Sequence, residues 1–291
     1  MSARILASLA EIAADYDALF CDVWGVIHNG FAPFESAVAA LAAYRQGGGK
    51  VVLLTNAPRP RADIEAQLDG IGVDRSAWDT VATSGDATRM ALFSGLIGER
   101  VFFMGEERDL TVLKPMKLIE NPKEIKTVPL EEAEGILCAG PEDPKADPET
   151  WRPTLLSAKA RGLKLLCLNP DLVVDRGASR EWCAGAVAAM YEEMGGEALY
   201  YGKPHAPIYE LARARLAAIG AHPDSARILA VGDGIDTDVK GAMGEGLDCL
   251  FVTGGLFREE TGTRDDPKAD ALEAFLNGHE TAAKYAIGTL R

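Results

Sequence analysis

Residues 17–30 read DALFCDVWGVIHNG. The run Ala18–Cys21 is apolar without a break and ends in Asp22. A continuous apolar run of this length suits a strand covered on both faces, and the residue after it is then presented at the strand tip. Gly25 follows closely and can open a turn. Between the carboxylate and the glycine stands Trp24. The stretch therefore asks what covers the strand, and what chemistry uses a lone aspartate beside an indole.

Similar β-rich runs recur outward from it: KVVLL (50–54), DTVAT (79–83), ALYYG (198–202), RILAVG (227–232) and DCLFV (248–252). Helical patterns lie between many of them, at 35–46, 60–70, 206–219 and 236–245. Apolar strands alternating with amphipathic helices predict an α/β fold with a Rossmann-like parallel-sheet core. Three strands run into polar residues: Asp22, Thr55 with Asn56, and Asp233. In open sheets of this kind ligands bind at the carboxyl ends of the strands. The N-terminal segment MSARILASLAEIAADYD reads as a short amphipathic helix.

The rhythm breaks in the middle of the chain. Strands recur at 101–104 (VFFM), 135–139 (GILCA) and 163–168 (LKLLCL), but long polar connections such as PKEIKTVPLEEAEG and PEDPKADPET separate them. The expectation is a core formed by 1–85 and 181–291, with 86–180 inserted as a smaller α/β cap domain that closes over Asp22. The chain is expected to return to the main sheet near 181–203.

The 291 residues carry a formal net charge of −14. That argues against a nucleic-acid or anionic-membrane surface, both of which need basic patches. It still admits an anionic small substrate, because a metal ion or a few local cations can reverse the field in a pocket. Five cysteines without a CxxC pair read as reduced buried thiols, and four histidines without an HxxxH pair give no zinc signature. No run approaches the roughly 20 apolar residues of a membrane span. A cytoplasmic protein is expected, with a homo-oligomer left open.

The polar strand ends suggest phosphoryl transfer. Asp22 can attack an electrophile. Thr55 and Asn56 offer a hydroxyl and an amide to phosphoryl oxygens. In YYGKPHAPIY, Lys203 can neutralise both a carboxylate nucleophile and a phosphate. In VGDGIDTDVKGA, Asp233 and Asp238 follow an apolar strand among glycines. Carboxylate oxygens without nitrogen or sulfur ligands favour Mg²⁺, which lets a carboxylate approach an anionic phosphate. Asp236 is expected to be a helix N-cap. Asp171, after Pro170, either contacts substrate or caps a turn. His28 is either a turn residue or a substitute proton donor. The GxG at 232–234 lacks the third glycine of a dinucleotide loop, since position 237 is threonine.

DVWGV, LLTN, GKP and GDGIDTD, in this order and with an insertion between the second and third, resemble the haloacid dehalogenase-like (HAD) superfamily. The place of the insertion and the sequence NPDLVVDRG (169–177) resemble class IIA, the sugar- and nucleotide-phosphatase-like branch with an α/β cap. The resemblance implies a Mg²⁺-dependent phosphatase that passes through an aspartyl phosphate on a small phosphorylated metabolite. It implies Asp22 as nucleophile and metal ligand, Thr55 as phosphoryl binder and Lys203 as charge stabiliser. It also implies a metal site completed by the Trp24 carbonyl and Asp233, with Asp238 close by.

Trp24 departs from that pattern. Phosphatases resembling the family carry a second aspartate there, which protonates the leaving oxygen and then deprotonates water. Indole can do neither, and general acid–base catalysis is worth about 10²–10⁴-fold. The retained acidic cluster favours phosphoryl over haloacid chemistry. A degenerate member that binds a phosphometabolite or a partner, and a phosphonate or phosphoryl-transfer enzyme, are the alternatives. If the indole is an apolar wall of the substrate site, aryl and acyl phosphates suit it better than alkyl esters, because their leaving groups need no proton.

Overall fold

The computed structural model describes residues 3–116, 119, 121–176 and 179–291. Met1 and Ser2 of the N-terminal segment, and Gly177 at the end of NPDLVVDRG, lie outside them. The strands in chain order are β1 (Arg4–Ile5), β2 (Ala18–Cys21), β3 (Lys50–Thr55), β4 (Thr80–Thr83) and β5 (Arg100–Met104). They continue with β6 (Lys126–Thr127), β7 (Gly135–Cys138), β8 (Lys164–Cys167), β9 (Val173–Arg176) and β10 (Ser179–Trp182). The last four are β11 (Glu197–Tyr200), β12 (Ile228–Gly232), β13 (Asp248–Val252) and β14 (Tyr285–Ile287).

The chain divides into two compact units, one of Met1–Thr55, Glu65–Ala82 and Lys203–Arg291, the other of Asn56–Ile64 and Thr83–Gly202. The first holds a seven-stranded sheet in the order β1-β14-β13-β12-β2-β3-β4. Its apolar strands are buried along their length: Ala18, Leu19, Phe20 and Cys21 are closed to solvent, as are Val51, Val52 and Leu53. That is the pattern of a sheet sandwiched by helices on both faces. The helix Glu35–Gln46 buries Ala37, Val38, Leu41 and Tyr44, and Ala206–Ala218 buries Ile208, Tyr209, Ala212 and Leu216.

The strand order positions the site. From β2 the chain adds β3 and β4 on one side, while β12, β13 and β14 extend the other. The order therefore reverses between β2 and β12, and the crevice at the carboxyl ends of such a switch point is where these sheets bind ligands. Cys21 stands opposite Val231 and Leu53 in register. Asp22 follows at once, and its N–H donates to Val231 O at 2.7 Å.

The second unit holds a parallel five-stranded sheet, β11-β8-β7-β5-β6, and a separate antiparallel pair, β9 and β10. Leu155, Leu165, Val187 and Tyr191 are among its closed core. Its two chain segments are knitted together. A Cβ on Gly85 would lie 2.1 Å from Pro58 O, and Arg61 N–H donates to Asp86 Oδ2 at 3.3 Å.

Three expectations are corrected. The run ALYY is β11, but it pairs with β8 (Tyr200 against Cys167) rather than with the main sheet, and the chain re-enters the first unit only at Lys203. An apolar strand does not encode its partner. The N-terminal segment is not an amphipathic helix. It is β1 followed by two single 3₁₀ turns, because Arg4 and Ile5 pair with Tyr285 and Ala286 far along the chain. The first turn is capped by Ser8 and Glu11 together. Asp236 is not an N-cap. Gly234 holds that place, and Asp236 lies inside a wide π turn, Ile235–Val239, where Lys240 Nζ pairs with it at 2.6 Å on the surface. All five cysteines are buried free thiols. Among the described residues no helix is long and apolar enough to cross a membrane.

Candidate active site

Asp22, Lys203, Asp233 and Asp238 meet beyond the ends of β2 and β12. Lys203, one of the largest side chains fully removed from solvent, donates from Nζ to Asp22 Oδ1 at 2.6 Å and to Asp238 Oδ1 at 2.8 Å. The other Asp238 oxygen accepts the Gly234 N–H at 3.0 Å, which ties the π turn to the strand end. Asp233 Oδ2 accepts the Leu256 N–H at 3.2 Å.

Glycines make room for these carboxylates. A Cβ on Gly25 would stand 2.2 Å from Asp233 Oδ2, and one on Gly255 would stand 1.9 Å from the same atom. Gly25 also has φ +80, which a side chain rarely adopts. On Gly232 a Cβ would lie 2.0 Å from Asp238 Cγ. Gly25 as a turn residue and the glycines around Asp233 are legible in the sequence. Gly255 and the Leu256 N–H are not, their one signal being the glycine pair directly after β13 in VTGGLF.

One oxygen from each of Asp22, Asp233 and Asp238 lies within 4.8 Å of the others. All three residues are buried, against one buried ammonium. If ionised, they leave two uncompensated negative charges. Burial, and then repulsion from Asp22 and Asp238, pushes the Asp233 carboxyl well above its ordinary range. A hard divalent cation matches this set in charge and in donor chemistry.

The electrostatics predict an outcome for Asp233→Asn. A raised carboxyl pKa stabilises the fold below the ordinary aspartate range and loses that contribution as pH rises through the folded-state value. The metal-free wild type is therefore under strain at neutral pH, and asparagine relieves it. The variant should melt about 2–4 °C higher without metal, the shift for about 1 kcal/mol in a domain of this size. Adding Mg²⁺ should raise the melting temperature of the wild type and not of the variant. Thermal melts with EDTA or Mg²⁺ read both effects.

Thr55 ends β3, one residue beyond the level of Asp22, and is buried. Trp24 is half-buried, and its ring makes a T-shaped contact with the His28 ring at a centroid distance of 5.0 Å. His28 is enclosed, and its Nδ1 accepts the Gly30 N–H at 2.9 Å. Asn56 and Asp171 belong to the second unit and are bonded to each other, Asn56 Nδ2 donating to Asp171 Oδ1 at 2.8 Å. Asn169, not Asp171, makes the local turn, its Oδ1 accepting the Asp171 N–H at 3.0 Å.

The fold and this acidic strand tip define a Rossmann-like enzyme core with an inserted α/β unit. The chain matches the haloacid dehalogenase-like hydrolase family over residues 19–118 and the HAD-hydrolase-like family over 200–275. It is similar to a crystal structure of a haloacid dehalogenase-like family hydrolase from Brucella suis 1330, with 38% identity and a TM-score of 0.86 across 99% of this chain and 100% of that one. The chain belongs to the haloacid dehalogenase-like hydrolases. It is also similar to a D-glycerol 3-phosphate phosphatase of Mycobacterium tuberculosis, 26% identical over 254 residues, which is 85% of this chain and 66% of that protein. A dihydroxyacetone phosphatase of Corynebacterium glutamicum is 35% identical over 96 residues, 33% of each chain. The chain thus spans about two thirds of the length of the first curated relative and one third of the second.

Proposed function

We propose that the protein is a Mg²⁺-dependent phosphatase, a phosphoric monoester hydrolase that acts on a small phosphorylated metabolite in the cytoplasm through an aspartyl phosphate on Asp22. The observation that carries this reading is the buried Lys203 held between Asp22 and Asp238, with Asp233 completing a cluster one cation short of neutrality.

In this reading Asp22, Asp233, Asp238 and the Trp24 carbonyl would hold Mg²⁺, which lets two anions meet. The Lys203 ammonium orients the Asp22 carboxylate through Oδ1. A carboxylate oxygen of Asp22 attacks phosphorus, and the bond to the leaving oxygen breaks. Thr55 Oγ and Lys203 stabilise the charge gathering on the phosphoryl oxygens. Water then cleaves the aspartyl phosphate and releases inorganic phosphate. Trp24 shapes the substrate site.

Two relatives are named for three-carbon alkyl phosphates. Trp24 pulls the other way, because an indole cannot protonate an alkoxide. The test is phosphate release with and without Mg²⁺ from p-nitrophenyl phosphate, acetyl phosphate, glycerol 3-phosphate and dihydroxyacetone phosphate. Hydrolysis of the first two, with much slower turnover of the last two, is expected. Fast turnover of the alkyl esters would mean that another group supplies the proton. Release from none of the four would reject the phosphatase reading in favour of the one Trp24 supports as second, a non-catalytic binder of phosphometabolites.

A further inference from the structure

The loop that follows Asp22 folds back on the Trp24 ring. Gly25 N–H donates to His28 O at 2.9 Å, and Phe34 N–H donates to Ile27 O at 2.7 Å. The N–H groups of Phe31 and Ala32 both donate to Asn29 Oδ1 at 3.0 Å. This closed circuit sets Gly30 at φ +90, directly against the indole: a Cβ there would lie 2.6 Å from Trp24 Cη2 and 2.8 Å from Cζ2. His28 meets the same ring at an interplanar angle of 74°. The Gly30 N–H in turn fixes the His28 ring through Nδ1, so the proton of the neutral imidazole resides on Nε2. Glycine is required at position 30 for two separate reasons, backbone conformation and the space taken by the indole.

We propose that Gly30 and His28 are positioning residues that clamp the Trp24 indole as a fixed aromatic platform, and that this platform selects phosphorylated compounds with an aryl group on phosphorus's ester oxygen. The proposal rests on the phosphatase reading of the site but concerns recognition rather than turnover. A ring held on two sides loses little freedom on binding, so its stacking energy goes into affinity. An aromatic pair is worth about 0.5–1.5 kcal/mol beyond area burial, or about two- to tenfold in binding.

The test measures binding of phenylphosphonate and methylphosphonate, in the presence of Mg²⁺, by titration calorimetry. Neither probe has an ester bond to hydrolyse, so the readout does not depend on activity. Wild type should bind the phenyl compound about five- to tenfold more tightly. Gly30→Ala should bring the two affinities within twofold by weakening the phenyl compound alone. In a Trp24→Ala background, Gly30→Ala should change the ratio no further, a coupling that a merely structural glycine would not show. Should Gly30→Ala fail to fold, His28→Asn, which keeps an acceptor for the Gly30 N–H but removes the ring, should shift the ratio in the same direction, and His28→Phe should restore it.

A wild type that binds both probes equally overturns the proposal, as does a ratio untouched by Gly30→Ala or by His28→Asn. Binding with the expected ratio but no hydrolysis of any phosphate ester overturns the phosphatase reading and leaves the platform standing. Failure to bind both probes, on a protein that hydrolyses phosphate esters, overturns the platform alone; with no hydrolysis either, it overturns both.

Discussion

Asp22→Asn should lower Mg²⁺-dependent phosphate release by about 10⁴-fold or more, the scale seen when a nucleophile is removed from a catalytic unit. The amide has the shape of the carboxylate but cannot form the acyl phosphate. The fold should survive, because Lys203 keeps its 2.8 Å bond to Asp238 Oδ1 and the buried negative charge falls by one. The metal-free variant should therefore melt no lower than wild type. Phosphate release and a thermal melt on the same preparation separate lost chemistry from lost structure. Activity within tenfold of wild type, on a folded protein, would move the nucleophile elsewhere.

Lys203→Met should be the most destabilising single change at the site. Methionine fills a similar volume but takes the Lys203 ammonium away from the buried Asp22, Asp233 and Asp238. Removing one partner of a buried ion pair costs about 3–5 kcal/mol, so the metal-free variant should melt about 10 °C or more below wild type. Two features distinguish this from simple loss of packing. Millimolar Mg²⁺ should recover part of the loss, since a ligand that binds only the folded state stabilises it. The deficit should also shrink as pH falls, because protonation relieves Asp233, whose carboxyl burial and repulsion from Asp22 and Asp238 already push upward. A variant that melts with the wild type would mean the cluster is solvated rather than closed.

Much of the larger sheet could be read from the chain because its strands are buried on both faces. KVVLL, RILAVG and DCLFV carry no polar alternation to mislead, and each matches an observed strand to within a residue or two at its ends. The helix Glu35–Gln46 was readable for a related reason, since its buried positions fall on one face. Where tertiary context decided, reading failed. The helix Ala184–Glu193 is so uniformly apolar, GAVAAM, that its period is hidden, and ALYY offers no means of choosing between two parallel sheets. In the buried cluster, Lys203 and Asp233 stand beside glycines, Asp22 directly follows an apolar run, and Asp238 lies a few residues past one in a glycine-rich stretch, which is why each was legible. Gly255 was not, because its role arises from proximity in space to Asp233, 22 positions earlier in the sequence. The same holds for Asn56 and Asp171. Each was identifiable as a polar residue at an element end, but their bond to each other spans 115 positions.

That bond sets a rule for recombination. The inserted unit is built from two stretches, Asn56–Ile64 and Thr83–Gly202, whose outer borders are the peptide bonds after Thr55 and before Lys203. A chimera that imported only the long stretch from a relative would leave Asn56 facing a foreign residue in place of Asp171, and Pro58 facing a foreign residue where only glycine fits at 85. An exchange of this unit between family members must therefore transplant the nine-residue piece together with the long one. Cut at those borders, the recipient keeps the residues at positions 22, 203, 233 and 238 untouched.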